Sequence, residues 1–351
     1  MEQRSFGNGV CVSVLGIGCG RVGSISNPVP MREIEATLEA AVAAGVNLFD
    51  TANIYGQGDS ERTLARLLRR YRERMFVVTK VGGRHGRFAG LIRQVKPLLR
   101  LVARSRPNLR GAVVKARTAT VIHDFSTLDL RQAIDASRRR LGLDQLDGLL
   151  LHSPSIETLH KPEIREFLGD LLRGGKAARV GASVDSLDAL EVAVSFPEVT
   201  MIQAPLELAA ALRGTAILKS IRQRNIGLFV REILRRPNGG ANQNWSPHAA
   251  LSAAIAPDFV TAAIIGVSTR QHLKELLSSI CSALKKLRLC TGLKRGPPAS
   301  IRTMQPMRPD KRTAKATPIA PAPTIATSAS VMPPSARLSP LQIMRSTTII
   351  L

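Results

Sequence analysis

The 351-residue chain is poor in aromatic residues, in cysteine and in long apolar runs. Aromatic residues make up 3% of the sequence, and only Tyr55 and Tyr71 are tyrosines. Because nucleic-acid bases stack on aromatic side chains, this scarcity argues against a single-strand binding platform. No apolar stretch approaches the roughly 20 residues that a membrane-spanning helix needs, so we expect no membrane partner.

The four cysteines show no pattern that would bind a metal ion. Their spacing contains neither a CxxC pair nor a Cys/His cluster, and they are Cys11, Cys19, Cys281 and Cys290. We therefore expect reduced cysteines and no metal site. The first residues also lack the apolar core of a secretory signal peptide. These absences together predict a cytoplasmic protein.

The formal net charge of +24 would by itself suit a nucleic-acid partner. Much of this charge lies at one end, because residues 280–351 contain twelve Lys/Arg and a single acid, Asp310. Other arginines, such as Arg138, Arg139 and Arg140, lie along amphipathic stretches, which is typical of solvated helix faces. We therefore expect no nucleic-acid partner, and nucleic-acid binding is the most remote of the alternatives.

Short apolar runs alternate with amphipathic helical stretches along most of the chain. The predicted strands are Val12–Ile17, Val46–Phe49, Phe76–Thr79, Leu146–Leu151, Arg179–Ala182, Thr200–Gln203, Gly227–Val230 and Ala262–Ile265. Such alternation predicts a parallel sheet with crossover helices, either open and doubly wound or closed into a barrel. Eight units within about 280 residues match the size of a barrel, so the predicted fold class is α/β, a (β/α)₈ TIM barrel.

Two regions depart from this alternation. We predict a barrel domain over residues 1–280 that contains an inserted helical segment or lid at 84–120, which is rich in arginine and has no clear strand pattern. Residues 281–351 form a predicted basic, low-complexity tail. Residues 296–351 hold ten of the 21 prolines, and we expect this tail to be disordered.

A literal GxGxxG occurs at residues 18–23, and Asp50 follows at the end of the next predicted strand. A dinucleotide-binding Rossmann motif requires a helix that begins at the last glycine. Here a polar segment with Pro28 and Pro30 follows instead, which indicates a loop. We therefore interpret these glycines as the loop after the first barrel strand, where they allow a ligand to approach closely.

Polar residues stand at or just beyond the ends of three consecutive strands. Asp50 and Tyr55 lie in GVNLFDTANIYG, Lys80 ends VVTK, and His152 ends LLLH. Each alone could be a cap, a solvated charge or a structural residue. Because the carboxyl ends of barrel strands open onto one face, where active sites lie, we expect the four to converge.

The chemistry of these four residues suits the reduction of a carbonyl group. A free tyrosine, with a pKa near ~10, is a poor acid-base catalyst at neutral pH, but a neighbouring ammonium such as Lys80 favours the tyrosinate. Asp50 is expected to pair with Lys80 and keep it charged. His152 is expected to donate a hydrogen bond to the carbonyl oxygen.

The segments GVNLFDTANIYG, VVTK and LLLHSPS resemble the aldo-keto reductase family, and the similarity extends from about Val12 to Leu277. The resemblance implies a (β/α)₈ barrel and a nicotinamide cofactor, NADPH or NADH. It also implies a set of four catalytic residues, namely Asp50, Tyr55, Lys80 and His152.

The resemblance extends to residues that would bind the cofactor. Ser183 and Gln203 match family residues that bind the nicotinamide amide, although Val184 replaces the usual Asn. Where many members carry an aromatic residue that stacks on the nicotinamide, this chain has Arg231, which would either cover the ring or reach a phosphate.

Gly266, Ser268 and Arg270 lie between the last predicted strand and the helix that follows it. Loops and helix N-termini at this point of a barrel commonly bind phosphate. We expect these three residues to bind a phosphate group of the cofactor, with Arg270 facing the adenosine 2′-phosphate. Other residues usual in the family are absent here, so the sequence leaves the choice between NADP and NAD open.

The sequence therefore predicts an NAD(P)H-dependent oxidoreductase with Tyr55 as general acid/base. It would reduce small aldehydes, ketones or sugars, or oxidise the corresponding alcohols and sugars. The alternative is a non-catalytic regulator of the same fold that binds a nicotinamide cofactor, an interpretation suggested by Val184, Arg231 and the unusual tail. The expected partner is a small carbonyl or sugar substrate.

Overall fold

The computed structural model describes residues 1–7, 9–24, 27–85, 121–235 and 246–291. Its strands are, in chain order, β1 (Gln3–Phe6), β2 (Val10–Ser13), β3 (Leu15–Gly18), β4 (Leu48–Asp50), β5 (Phe76–Val81), β6 (Gly83–His85), β7 (Val121–His123), β8 (Gly148–His152), β9 (Val180–Ser183), β10 (Val199–Pro205), β11 (Gly227–Arg231) and β12 (Ala262–Gly266). Eight of them, β3, β4, β5 and β8 to β12, form a closed parallel barrel, which confirms the predicted (β/α)₈ fold.

Helices follow the barrel strands and pack around them. The α-helices are α1 (Met31–Ala43), α2 (Asp59–Tyr71), α3 (Thr127–Leu141), α4 (Ile156–Leu159), α5 (Pro162–Arg173), α6 (Leu187–Ser195), α7 (Leu206–Ala211), α8 (Ala216–Gln223), α9 (Pro247–Ile255) and α10 (Arg270–Thr291). No helix within the described ranges is both long and apolar enough to cross a membrane.

The sequence of α2 explains why this helix forms where it does. Leu64, Leu67 and Leu68 recur at helical spacing and are buried against the barrel. Acidic residues occupy the first turn and basic residues the last, an arrangement that complements the helix dipole. The helix begins directly after Gly58, whose φ of 84° is left-handed.

Two hydrophobic cores lie on either side of the barrel strands. The larger one lies between strands and helices, and the smaller one fills the barrel interior around Met201, Leu150 and Phe229. The antiparallel hairpin of β1 and β2 inserts Phe6 into this interior, where its ring meets Phe76 and Phe229 edge to face. The hairpin therefore covers the amino-terminal end of the barrel and leaves the carboxyl-terminal end open.

The first predicted strand, Val12–Ile17, is two strands in the structure. Its start belongs to β2 and its end to β3, with a break between Ser13 and Leu15. The Ser13 hydroxyl donates a 2.6 Å hydrogen bond to the carbonyl of Leu15, and its N–H donates to the Asn47 side chain. These local bonds turn the chain from the hairpin into the barrel.

Both predicted domain boundaries, at residues 84 and 280, fall inside elements of secondary structure. Arg84 and His85, at the start of the predicted helical insertion 84–120, lie in β6, which pairs with β7 in an antiparallel two-stranded sheet. Residues 86–120 lie outside the described residues. The boundary predicted at residue 280 falls inside α10, because Ala283 and Leu284 continue the buried face of that helix. The remainder of the predicted disordered tail, residues 292–351, also lies outside the described residues.

Candidate active site

The parallel register brings the predicted catalytic residues to the open end of the barrel. Asp50 is the last residue of β4 and pairs with Gly18 of β3, while Lys80 is the next-to-last residue of β5. His152 ends β8 and pairs with Ser183 of β9. All four residues predicted from the sequence, including Tyr55 just after β4, therefore lie in one region.

Lys80 is the centre of this group. Its ammonium donates hydrogen bonds to both carboxylate oxygens of Asp50, at 2.6 and 2.8 Å, and to the carbonyl of Thr51 at 3.1 Å. The Tyr55 hydroxyl lies 3.5 Å from the same nitrogen. Lys80 is 1% exposed and Asp50 5% exposed, so this ion pair is shielded from bulk water.

The local charges keep Lys80 protonated. Burial lowers the pKa of Lys80, but the attraction of Asp50, followed by that of Tyr55, outweighs burial, so its pKa lies above the ordinary lysine value. A fixed positive charge therefore stands beside the phenol oxygen. Such a charge stabilises a tyrosinate and facilitates proton transfer from the hydroxyl.

A short 3₁₀ helix, Tyr55–Gly58, holds the tyrosine over the lysine. Gly56, Gln57 and Gly58 all have left-handed backbone conformations, with φ of 56°, 58° and 84°. A side chain at Gly56 would place its Cβ 2.6 Å from the carbonyl of Val22, so this turn packs closely on the loop after β3. Glycine is required there by both conformation and contact.

His152 lies across from Tyr55 as a neutral imidazole. The two rings meet edge to face, with centroids 5.8 Å apart and planes at 89°. Burial, followed by the positive charge of Lys80, lowers the pKa of His152 to about 3. Its Nδ1 is buried without a hydrogen-bond partner among the described residues. A neutral imidazole retains one N–H that can donate to a carbonyl oxygen.

Two residues predicted to bind the nicotinamide amide join this network. Ser183 Oγ donates a 2.9 Å hydrogen bond to Gln203 Oε1, and Gln203 Nε2 donates a 2.9 Å bond to Asp50 Oδ1. Both side chains are buried at 2% and 1% exposure. Val184 is also buried. Its backbone N–H donates a hydrogen bond to the backbone carbonyl of Gln203, and this bond fixes β9 against β10.

These side chains surround a cavity of about 410 Å³ at the open end of the barrel. The residues that line it are Gly18, Gly20, Arg21, Asp50, Tyr55, His152, Ser153, Ser183, Gln203, Arg231, Glu232 and Gly266. Lys80 lies beneath the lining. Of the predicted cofactor residues, Ser268 and Arg270 do not line this cavity.

Three further residues predicted to bind the cofactor, Arg231, Ser268 and Arg270, have different surroundings. Arg231 forms ion pairs with Asp185 and Glu232 and donates a 3.1 Å bond to the Val184 carbonyl. Ser268 is half-buried, and its hydroxyl accepts a 3.4 Å bond from Asn27. Arg270 is exposed at the N-terminus of α10. Arg231 is therefore held in place, whereas Arg270 faces solvent.

The cavity has the features that a nicotinamide cofactor requires. A Cβ at Gly20 would lie 3.6 Å from the Tyr55 ring, so glycine there leaves the phenol uncovered. Ser183 and Gln203 retain unused lone pairs, and the Gln203 amide retains one N–H, for a carboxamide. The described residues contain no group of three or more His, Cys, Asp or Glu side chains that could hold a metal ion.

Some residues of the site were not predicted from the sequence. Ser153 and Glu232 line the cavity, and each follows the last residue of a barrel strand with a left-handed φ, 53° and 59°. Non-glycine residues in this conformation are uncommon and concentrate at functional sites. The sequence feature that could have identified Ser153 and Glu232 is their position directly after His152 and Arg231. Arg21 and Glu232 add charge to the cavity mouth.

Comparison with known proteins agrees with this architecture. The Aldo/keto reductase family model matches residues 14–243, more than half of the chain. Pyridoxal 4-dehydrogenase of Microbacterium luteolum is 31% identical over 176 residues, which cover 50% of this chain and 49% of that protein. D-threo-aldose 1-dehydrogenase of a Pseudomonas species is 30% identical over 206 residues, covering 57% and 59%. The chain thus spans less than two thirds of these relatives.

Solved structures share the same fold. One of them is an aldo/keto reductase from Klebsiella pneumoniae, solved in complex with NADP and acetate. The match covers 84% of this chain and 96% of that chain. The TM-score is 0.55 and the sequence identity is 18%. At this level of identity the likeness shows the common barrel.

Proposed function

Because this chain belongs to the aldo-keto reductase family, we propose that it is an NAD(P)H-dependent oxidoreductase acting on small carbonyl compounds or sugars. The observation that carries the proposal is the buried Lys80 ammonium. It bonds both oxygens of Asp50 and lies 3.5 Å from the Tyr55 hydroxyl at the cavity. This arrangement serves proton transfer at the phenol oxygen.

Each residue has a distinct role in the proposed reaction. A reduced nicotinamide, when bound, supplies the hydride. Tyr55 gives its proton to the carbonyl oxygen, and Lys80 stabilises the resulting tyrosinate. Neutral His152 donates a hydrogen bond to the same oxygen and so orients the substrate. Asp50 keeps Lys80 charged and in place. In the reverse direction the tyrosinate form of Tyr55 accepts the proton of an alcohol.

We assign the carboxamide of the cofactor to Ser183 and Gln203, which both line the cavity. Gly266, exposed at the end of β12, leaves room for the cofactor to pass toward α10. Ser268 and Arg270 would then hold a phosphate, with Arg270 on the 2′-phosphate of NADPH. Arg231 would cover the nicotinamide or contact a phosphate from its ion-paired position.

The proposed substrates are small aldehydes, ketones and sugars. The names of two relatives refer to pyridoxal and to an aldose, and both are dehydrogenases, so oxidation is as suitable a direction as reduction. A cavity of about 410 Å³ that also receives the nicotinamide ring leaves space for a small substrate. The predicted cytoplasmic location and the absence of a nucleic-acid partner stay predictions.

The test is a screen of NADPH and NADH oxidation against a panel of aldehydes, ketones and sugars, with NADP and NAD reduction measured in parallel. We expect turnover with at least one member of the panel. Tyr55→Phe is the matched control, because it removes the hydroxyl and keeps the ring. Equal turnover by wild type and Tyr55→Phe would overturn the proposed mechanism.

A second candidate is a regulator that binds the cofactor and turns over nothing. Two observations favour it: the apolar Val184 replaces an amide side chain beside the nicotinamide position, and Asp185 and Glu232 neutralise Arg231. Wild-type protein that binds NADPH tightly but reduces no member of the panel would support this candidate.

A further inference from the structure

A buried carboxylate that the proposed reaction does not use lies directly behind the site. Glu61, in the first turn of α2, is 0% exposed. Its Oε1 accepts a 2.7 Å hydrogen bond from Thr79 Oγ1, and its Oε2 accepts a 2.5 Å bond from Arg140 Nε. A buried carboxylate needs such partners to remain charged. Glu61 thereby joins α2, β5 and α3 at one point outside the barrel.

Thr79 connects this point to Lys80. The two residues are neighbours on β5, and successive side chains of a strand face opposite sides. Lys80 therefore reaches Asp50 inside the barrel, while Thr79 reaches Glu61 on the outside. Both are fully buried. The Glu61 bond fixes β5 at the position from which the Lys80 side chain extends.

Arg140 connects the same point to the tyrosine. A Cβ at Gly58, the last residue of the turn that begins at Tyr55, would lie 2.8 Å from Arg140 Cδ. The Arg140 stem therefore packs on this turn while its Nε binds Glu61. One ion pair thus supports both the strand that carries Lys80 and the turn that carries Tyr55.

Ser60, the neighbour of Glu61, contacts the residues that directly follow β3 and β4. Its hydroxyl lies 2.7 Å from Thr51 Oγ1 and donates a 3.0 Å hydrogen bond to the Cys19 carbonyl. The Thr51 carbonyl in turn accepts a hydrogen bond from Lys80. The first turn of α2 therefore holds the ends of β3, β4 and β5 relative to one another.

We propose that Glu61 and Arg140 are positioning residues for the Tyr55–Lys80 pair, acting through Thr79 and Gly58 and touching neither substrate nor cofactor. This inference rests on the proposed function of the same site. Its physical basis is the 3.5 Å separation between Lys80 Nζ and the Tyr55 hydroxyl. That distance is at the limit of a hydrogen bond, so a small displacement of β5 or of the turn removes the interaction.

The first test measures the ionisation of Tyr55 beside Lys80. It uses the protein without substrate or cofactor and does not depend on turnover. The chain has only two tyrosines, so a Tyr71→Phe background leaves Tyr55 as the sole phenol. Tyrosinate absorbance during an alkaline titration then reports the ionisation of Tyr55 directly. We expect Glu61→Gln and Arg140→Met to move the tyrosinate transition to higher pH than in the parent protein, because Lys80 moves away from the phenol.

Smaller changes separate positioning from general damage. Thr79→Val removes the bond to Glu61 and should change the titration of Tyr55 in the same direction as Glu61→Gln. Thr79→Ser keeps the bond, so its titration should match that of the parent protein. Asp147→Asn is the matched control at the opposite end of the barrel. Asp147 is likewise a largely buried carboxylate that pairs with an arginine, Arg72, and bonds β5, through the Val77 N–H. Asp147→Asn should lower the Tm and leave the titration of Tyr55 unchanged.

Activity provides the second measurement. In Glu61→Gln we expect kcat to fall about 10- to 100-fold while the Kd of NADPH stays within about twofold, the pattern of a misplaced catalytic group. An unchanged Tyr55 titration in both Glu61→Gln and Arg140→Met would overturn the positioning role. If wild type reduces no carbonyl but these variants still shift the titration, the proposed function fails and the positioning role stands.

Discussion

Gln203 Nε2 donates a 2.9 Å hydrogen bond to Asp50 Oδ1 in a fully buried part of the site. Asp50 therefore receives hydrogen bonds from Lys80 on one side and from Gln203 on the other. The strands proposed to bind the cofactor and those proposed to transfer the proton share one carboxylate. Removal of the Gln203 bond to Asp50 should consequently affect both binding and chemistry.

This coupling predicts a double effect of Gln203→Met, which keeps the side-chain length and removes the amide. Asp50 loses a donor, which should lower the free energy of unfolding by about 1–3 kcal/mol. Cofactor affinity and kcat should both fall, as measured by fluorescence titration and by steady-state kinetics. Ser183→Ala is the control, because it leaves the bond to Asp50 intact and should affect mainly cofactor binding. A normal kcat in Gln203→Met would contradict the coupling.

Arg270 provides a test of cofactor preference. If its exposed guanidinium binds the 2′-phosphate, Arg270→Ala should weaken NADPH binding by about 1.5–3 kcal/mol and leave NADH binding nearly unchanged. Arg173→Ala, at the C-terminal end of α5, is a matched exposed control that should change neither affinity. Equal losses for NADPH and NADH would indicate a general structural effect, and no loss would place the phosphate elsewhere.

Much of the fold and of the predicted catalytic group follows from local sequence patterns. Short apolar runs identify the barrel strands, and a parallel barrel brings their carboxyl ends together, so Asp50, Lys80 and His152 converge by topology alone. The sequence did not predict the β1–β2 hairpin as a separate element, because its strands are only partly buried and show little periodic pattern. The predicted boundary at residue 280 rests on a change in composition, whereas the helix that begins at Arg270 continues to Thr291.

Contacts between residues that lie far apart in the chain could not be predicted from the sequence. The ion pairs of Arg231 involve Asp185, which follows a different strand, and nothing local indicates that the two meet. The bond between Glu61 and Thr79 likewise depends on how α2 packs against β5. Ser268 and Arg270 follow β12 as expected, yet neither lines the cavity. Side-chain direction in loops is set by tertiary packing.

The neutral state of His152 predicts a particular pH dependence of stability. Its pKa of about 3 in the folded protein lies below the ordinary value of 6.5 in the unfolded chain. Below pH 6.5 the unfolded chain therefore binds a proton that the folded protein does not, so this residue costs stability as the pH falls from 6.5 toward 3. Above 6.5 it imposes no such cost.

His152→Gln should remove this proton uptake and flatten the loss of stability between pH 6.5 and 4. Urea unfolding of wild type and variant at pH 7 and pH 4.5 measures the difference in slope. Nuclear magnetic resonance provides an independent check, because the imidazole of His152 should show no titration between pH 5 and 8. A midpoint near 6.5 for that imidazole would contradict the lowered pKa of His152 and the stability loss derived from it.

Tyr55 and Lys80 should behave as one functional unit. Tyr55→Phe deletes the proton donor but keeps the ring that packs near His152, so turnover should fall by about 10²–10⁴-fold with little change in cofactor binding. Lys80→Met should lose most activity as well, because the tyrosinate loses the neighbouring charge. Since both changes abolish the same proton transfer, the double variant should be scarcely slower than either single one.

The lysine substitution needs a correction for stability, since it leaves Asp50 buried without its ion-pair partner. Removing one member of such a pair costs about 3–5 kcal/mol. Asp50→Asn combined with Lys80→Met removes the stranded charge and should recover part of the Tm without recovering turnover. Recovery of turnover along with the Tm would mean that Lys80 serves stability alone. Fully multiplicative rate losses for the Tyr55 and Lys80 variants would show that the two residues act in separate steps.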